Sequence, residues 1–205
     1  MSAGVTIVRL DPDAGQVVWS ACARIHREQI ADGFLSSLGD DFLSCLYEAL
    51  ARTPSSFVFV ARDGQRIVGF ICGSEKTGRV YKEFARLAGW RVLPILLPKL
   101  LSPRRIYGML ETILYPARTR AANLPSAEIL NFCVSTEAQG LGVGQRLFAA
   151  SVEEFRRRCV REIRIVTGVR QQSARRFYDS AGARCVGKVA VHRGSPELVY
   201  TFNIS

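Results

Sequence analysis

The sequence predicts an α/β fold on a mixed sheet, and three observations carry that expectation. Short apolar or alternating runs and amphipathic runs follow one another in the order β-α-α-β-β-(insert)-β-α-β-α-β-β. Asp63-Gly64 stands between two strand-like runs, a strong hairpin signal. An apolar run from Ile129 to Val134 enters a glycine-rich turn and leaves it as an amphipathic segment, which reads as strand, tight loop and helix.

The elements follow in order. Val5 to Leu10 alternates and reads as a first strand. Asp13 to Ile30 has helical spacing, with Val17, Val18, Ala21, Ile25 and Gln29 on one face and Asp11-Pro12-Asp13 as its start signal. After a loop over residues 31–39, Asp40 to Arg52 reads as a second helix. Phe42, Leu43, Leu46, Tyr47 and Leu50 form its apolar stripe, and Pro54 follows its end. Ser56 to Ala61 and Arg66 to Gly73 are the two hairpin strands. Val80 to Trp90 has helical spacing, Val92 to Leu101 is apolar but broken by Pro94 and Pro98, and Arg105 to Tyr115 is a further expected helix. Ala127 to Val134 is a strand. Val143 to Cys159 is a long helix turning Val143, Leu147, Phe148, Val152, Phe155 and Cys159 to the sheet. Glu162 to Thr167 is a strand and Ser173 to Ser180 a short helix. Arg184 to His192 and Leu198 to Ile204 close as a hairpin around Arg193-Gly194-Ser195-Pro196.

Gly140, Gly142 and Gly144 strip side chains from the turn, so its backbone N–H groups can approach a ligand closely. The first N–H groups of the following helix lack intrahelical partners, and with the helix dipole they suit a phosphate or pyrophosphate. A kinase-type loop requires Lys and then Ser or Thr after its last glycine, where Gln145-Arg146 stand. A dinucleotide fingerprint requires G-x-G-x-x-G early in a βαβ unit, whereas the spacing here is G-x-G-x-G, late in the chain. The pattern Gln139-x-x-Gly142-x-Gly144 instead resembles the acetyl-CoA pyrophosphate loop of the GNAT superfamily of N-acetyltransferases. A second segment, Gln171 to Ala183, resembles that family's later helix, N-x-x-A-x-x-F-Y-x-x-x-G-F, through Ala174, Phe177, Tyr178 and Gly182. Gln171 replaces the usual Asn, and Ala183 the usual aromatic.

The resemblance implies a mostly antiparallel GNAT-like sheet flanked by helices, with residues 75–125 as a basic, amphipathic helical insert between the third and fourth strands of a single domain. It implies that the strands on either side of the glycine loop splay apart around a pantetheine arm. Phe132, Cys133 and Val134 would present backbone groups to the arm. Gln139, Gly140, Leu141, Gly142, Val143 and Gly144 would hold the pyrophosphate, with Gln145 and Arg146 near it and Ser173 touching the cofactor from the second motif. The co-substrate implied is acetyl-CoA.

Acetyl transfer to an amine needs few groups. A Lys-type amine, with a pKa of about 10.4, must lose a proton before attack, and a thiolate leaving group, of pKa roughly 8.5, is helped by a proton donor. Tyr178 is the candidate general acid, since it stands at the family's Tyr position. Glu128 is the candidate general base, because a carboxylate sharing the parity of Leu130 and Phe132 on a core strand is costly unless functional or paired. Glu28 and Asp32, beside the first inter-helix loop, are the alternatives. Cys133 is read as a small buried residue rather than a nucleophile, and His26 and His192 as isolated surface or satisfied residues.

Composition bounds the rest. With 205 residues, 48% hydrophobic and 22% charged, the chain can bury a sizeable core. Its six cysteines show no C-x-x-C pair and no His cluster, which argues against a metal site and a disulfide framework. No secretory signal or membrane-spanning run is evident, so a cytoplasmic protein is expected. The net charge of +10 is uneven: between Glu75 and Glu128 ten Lys or Arg face only Glu75, Glu83 and Glu111. That stretch reads as a solvated lid, as an electropositive pocket for an anionic acceptor, or as a peripheral contact with an anionic membrane, since Trp90, Leu93, Ile95, Leu96 and Leu97 interleave with it. Basic charge alone lacks the motif a nucleic-acid partner would need. The expected activity is acetyl transfer to a primary amine of a small or carbohydrate-linked acceptor. A protein N-terminus or lysine is the alternative acceptor, and a non-catalytic acyl-CoA-binding module the alternative class. Exchange of the closing strands, frequent in the family, makes a homodimer an open expectation.

Overall fold

Strands β1 (Val5–Arg9), β2 (Ser56–Asp63), β3 (Arg66–Ser74), β4 (Glu128–Val134), β5 (Glu162–Gly168), β6 (Arg184–His192) and β7 (Ser195–Asn203) form one sheet in the order β1-β2-β3-β4-β5-β7-β6. These come from a computed structural model that describes residues 4–98, 111, 124–192 and 195–204. The helices are α1 (Gln16–Gln29), α2 (Asp40–Arg52), α3 (Thr77–Leu96), α4 (Val143–Arg157) and α5 (Gln172–Ser180), with short 3-10 turns at Ser36–Leu38 and Thr136–Ala138. The sheet is antiparallel except between β4 and β5, as the mixed GNAT-like fold requires.

Alternation along the strands gives the sheet two apolar faces. Val58, Val60, Phe70, Cys72 and Cys133 pack beneath α1, α2 and α3. Phe57, Ile71, Ile163, Ile165 and Tyr200 pack against α4 and α5. The β2–β3 hairpin turns where expected, with Gly64 at φ +57 and Asp63 opposite Arg66. The second helix also keeps its expected bounds, and Phe42, Leu43, Tyr47 and Leu50 are buried.

Several expectations are corrected. The first helix starts at Gln16, because Asp11 caps a turn instead: its Oδ1 accepts from the Asp13 N–H at 2.8 Å and its carbonyl from the Ala14 N–H. Its buried face carries Trp19, Cys22, Ala23, Ile25 and His26, while Val17 is 84% exposed. Pro94 does not break α3, which runs on to Leu96. The proline lies in the last turn; it has no N–H to offer the Trp90 carbonyl, but the Leu97 N–H beyond it still reaches the Leu93 carbonyl, so the turn is completed. Cys159 is exposed, just past the end of α4, at φ +58. β7 starts at Ser195, inside the expected turn, and of that turn residues 193–194 lie outside the described residues. Of the expected helix over 105–115, only Glu111 is described, and it is buried.

His26 is not a surface residue. It is buried at 1% exposure, its Nδ1 is hydrogen-bonded to the Tyr47 hydroxyl, and its Nε2 has no partner among the described residues. Burial lowers its pKa to about 4. The unfolded chain therefore takes up a proton below about pH 6.5 that the fold refuses, so the contribution of His26 is intact above that pH and lost as the pH falls toward 4. Urea unfolding should show a loss on the order of 3 kcal/mol across that window, and His26→Gln should flatten it. Burial likewise pushes up the thiols of Cys22, Cys45, Cys72 and Cys133. In the native protein a thiol reagent should label only Cys159 and Cys185 rapidly, with all six reacting in denaturant.

Candidate active site

β4 and β5 pair through only Glu128↔Arg164 and Ile129↔Ile165, and beyond these two positions they part. The opening runs toward the glycine loop. On its β3 side, β4 carries an irregularity between the pairs Cys72↔Asn131 and Gly73↔Ile129. That slip changes which face the strand presents. Leu130 packs into the α1–α3 core, yet Phe132 packs into the α4–α5 core, so the expected shared parity of Leu130 and Phe132 does not hold.

The loop is built for an exposed backbone. Gly140 and Gly142 both have φ +75, a conformation that L side chains rarely adopt, and Gly142 caps α4 without any side-chain hydrogen bond. Gly144 lies where α4 approaches β4: a Cβ there would stand 3.4 Å from the Phe132 ring, in contact with it. Val143 is buried and anchors the helix, while Leu141, Gln145 and Arg146 are exposed beside its N-terminus. The Gln139 side chain holds the loop in place. Its Nε2 donates to the Val134 carbonyl at 3.0 Å and to Gln29 Oε1 at 2.8 Å, and Gln29 donates to Thr136 Oγ1 at 3.1 Å. An uncapped helix start with left-handed glycines and a neighbouring arginine fits a pyrophosphate.

The second motif lies across the opening. Gln171 Oε1 accepts from Thr167 Oγ1 at 2.7 Å and from the Gly168 N–H at 3.3 Å, so this side chain ties β5 to α5. Ser173 is exposed on the first turn of α5. Phe177 packs between Phe132 and Phe148, at centroid distances of 5.3 and 5.5 Å. Tyr178 is buried at 4% exposure beside Tyr200. Burial, with a smaller effect from Cys133, pushes its phenol well above the usual value, so the hydroxyl keeps its proton at neutral pH. Cys133 itself is buried on the α1–α3 side with its thiol pushed up, as expected of a core residue.

Glu128 is buried and paired. Arg164 Nη2 donates to its Oε2 at 2.6 Å and Thr77 Oγ1 donates to the same oxygen at 2.9 Å. Glu28 and Asp32 are exposed, Glu28 lying 4.0 Å from Arg24. The side chain of His192 lies outside the described residues.

The sequence reading missed Glu197. On β7, Leu198 and Tyr200 enter the α4–α5 core, so alternation turns Glu197, Val199 and Thr201 to the other face, which Arg164 shares. Glu197 lies opposite Gly168, at the far end of β5. Burial, together with the negative charge of Glu128, raises its pKa to about 7. The clue was in the sequence: an acid immediately before the strand-like run Leu198-Val199-Tyr200-Thr201-Phe202.

The model of the acetyltransferase (GNAT) family matches residues 105–183, a span containing the loop and both motifs. No curated protein matches the chain in sequence. Similar folds include an N-acetyltransferase from Staphylococcus aureus Mu50, at TM-score 0.64 and 11% identity over 99% of this chain and 100% of that one. yncA from Salmonella typhimurium, solved with its cofactor acetyl-CoA, has TM-score 0.61 and 13% identity over 98% and 94%. The ribosomal-protein-S18-alanine N-acetyltransferase from Escherichia coli has TM-score 0.56 and 12% identity over 98% and 95%. At these identities the structures share the fold, and the family match supplies the motifs. Residues 105–183, which carry the glycine loop and both motifs, thus match the acetyltransferase (GNAT) family, and the described chain shares its fold with N-acetyltransferase structures.

Proposed function

We propose that this enzyme moves an acetyl group from acetyl-CoA to a primary amine of a small or carbohydrate-linked acceptor, by direct attack of the amine. The observation that carries the reading is the uncapped N-terminus of α4, with left-handed Gly142, opening onto the gap between β4 and β5. The thioester supplies an activated acyl carbon and a thiolate leaving group. The N–H groups from Gly142 to Gln145, with Arg146, bind the pyrophosphate. Backbone groups of β4 on the side where β5 parts from it, beyond Ile129, align the pantetheine arm. Tyr178 holds a proton for the leaving thiolate. The excess of basic residues over 75–125 favours an anionic acceptor and opposes polycations by like charge.

For the base, the proposal joins two carboxylates. Glu197 takes the amine proton, directly or through a water, because its raised proton affinity suits exchange near neutral pH. Glu128, clamped by Arg164 and Thr77, keeps that affinity high through its charge. Glu128 as the base is the alternative. A protein N-terminus or lysine remains the second acceptor class, favoured by the fold shared with an enzyme named for a ribosomal-protein alanine. A non-catalytic acyl-CoA-binding module is the reading of another class.

Calorimetry with acetyl-CoA should show micromolar binding that Gly142→Glu abolishes. No binding by well-folded wild type would overturn the proposal. Tyr178→Phe should keep that affinity while kcat falls about a hundredfold or more; unchanged turnover would remove Tyr178 from the chemistry, and absence of turnover by wild type over a broad amine panel would favour the binding module. With Glu197 as base, kcat/KM should rise with pH through about 7, as the carboxyl ionises. Glu197→Gln should erase that limb, and Glu128→Gln should move it to lower pH. A limb that survives Glu197→Gln but not Glu128→Gln would assign the base to Glu128.

A further inference from the structure

The outer face of α3 is unlike that of any other described helix. Its inner face buries Val80, Ala88 and Val92, and Phe84 meets Phe42 of α2 edge to face at 5.7 Å. Its outer face presents Arg79, Lys82 and Arg86 to solvent along the first half. Along the second half, Trp90, Leu93 and Leu97 are 76%, 56% and 55% exposed, spaced three and four residues apart so that they share one side of the helix. Pro94 and Pro98 are exposed among them. The other exposed large apolar side chains among the described residues, Val8, Val17, Leu141 and Val186, lie singly on separate elements. Scattered apolar residues are ordinary, but three together bordered by basic residues mark a contact surface.

We propose that this face docks on the surface of an anionic phospholipid membrane, with α3 lying in the interface plane. Charge complementarity selects the occupant. The stretch from Glu75 to Ala127 carries +7 of the chain's +10, from ten basic residues against three acidic ones, so it is attracted to an anionic surface. The same charge opposes a second copy of the chain on this face. The arrangement suits a bilayer edge: Arg79, Lys82 and Arg86 reach phosphate groups while Trp90, Leu93 and Leu97 enter the headgroup–acyl boundary. No described helix is long and apolar enough to cross a membrane, so the contact is peripheral. The surface is also joined to the candidate site, since Thr77 at the start of α3 donates to Glu128. The docking argument itself is independent of the acetyl-transfer reading.

Two tryptophans make the test direct. Trp19 is buried at 2% exposure and Trp90 is exposed, so a change of emission on docking reports Trp90. The full-length protein is mixed with vesicles of phosphatidylglycerol and phosphatidylcholine, and with vesicles of phosphatidylcholine alone. Co-sedimentation and a blue shift are expected with the anionic vesicles only, both weakened by salt. Binding should fall about tenfold or more in Leu93→Ser/Leu97→Ser and in Lys82→Glu/Arg86→Glu, with circular dichroism unchanged. No sedimentation of wild type with anionic vesicles overturns the proposal. So does binding that survives both double variants, or binding equal on the two vesicle types. A dimer that Leu93→Ser/Leu97→Ser dissociates, in protein that ignores vesicles, would assign the face to a second copy.

Discussion

The buried ion pair between Glu128 and Arg164 closes the sheet where it is weakest. β5 pairs with β7 over seven positions, but with β4 over only two, and the ion pair lies at the first of these. Both side chains are almost fully removed from water, at 6% and 3% exposure, so their charges are compensated within the protein rather than by solvent. Removing one partner of such a pair typically costs about 3–5 kcal/mol, because the other is left buried and uncompensated. The gap on which the proposed chemistry depends can therefore open without unzipping the sheet. Thr77 adds a third point of attachment and ties the start of α3 to the same carboxylate.

A second clamp stabilises the other end of α4. Glu154, 3% exposed, accepts from Arg158 at 2.8 Å and meets Arg9 at 3.1 Å. Arg158 also reaches Glu75 and the Pro54 carbonyl, each at 2.8 Å, and stacks over Phe57. The helix is thus left open where it starts, at Gly142, and secured where it ends. Rigidity at the far end keeps the loop geometry fixed while its N–H groups remain free for a ligand.

Much of this was legible in the sequence because local chemistry and tertiary context agreed. The stripe on α2, the Asp63-Gly64 hairpin and the glycine loop each combine a periodic pattern with an end signal, and each formed as read. The buried face of α1 was read in part: Val18, Ala21 and Ile25 pack into the core as expected, whereas Trp19, Cys22 and His26, whose polar atoms weaken an apolar reading, were left off it, and Val17 is exposed. The face change within β4 had no signal at all, since a slipped register is a property of two strands and not of either alone. Gln139 was read by motif as holding the pyrophosphate, and nothing in the sequence signalled that its amide also fixes the loop to Val134 and Gln29; Gln171, which stands where the motif usually has Asn, ties β5 to the start of α5. Glu197 was missed for a topological reason: nothing in the chain order says that β7 inserts between β5 and β6.

That insertion also bears on how the chain reaches its structure. β2 and β3 are sequential neighbours that meet through a short hairpin, so their pairing closes a small loop. Joining β3 to β4 brings Ile71 against Phe132, and joining β5 to β7 brings Glu162 against Asn203. Contacts so far apart in sequence carry most of the loop-closure entropy and slow folding. The half of the sheet that frames the gap therefore depends on contacts well separated in sequence, and until β7 docks, β5 has only two pairs with β4 to hold its edge. A vacant β5 edge of this kind is a strand waiting for a partner, and in an incompletely folded chain it is the first place where another molecule's β7 would add.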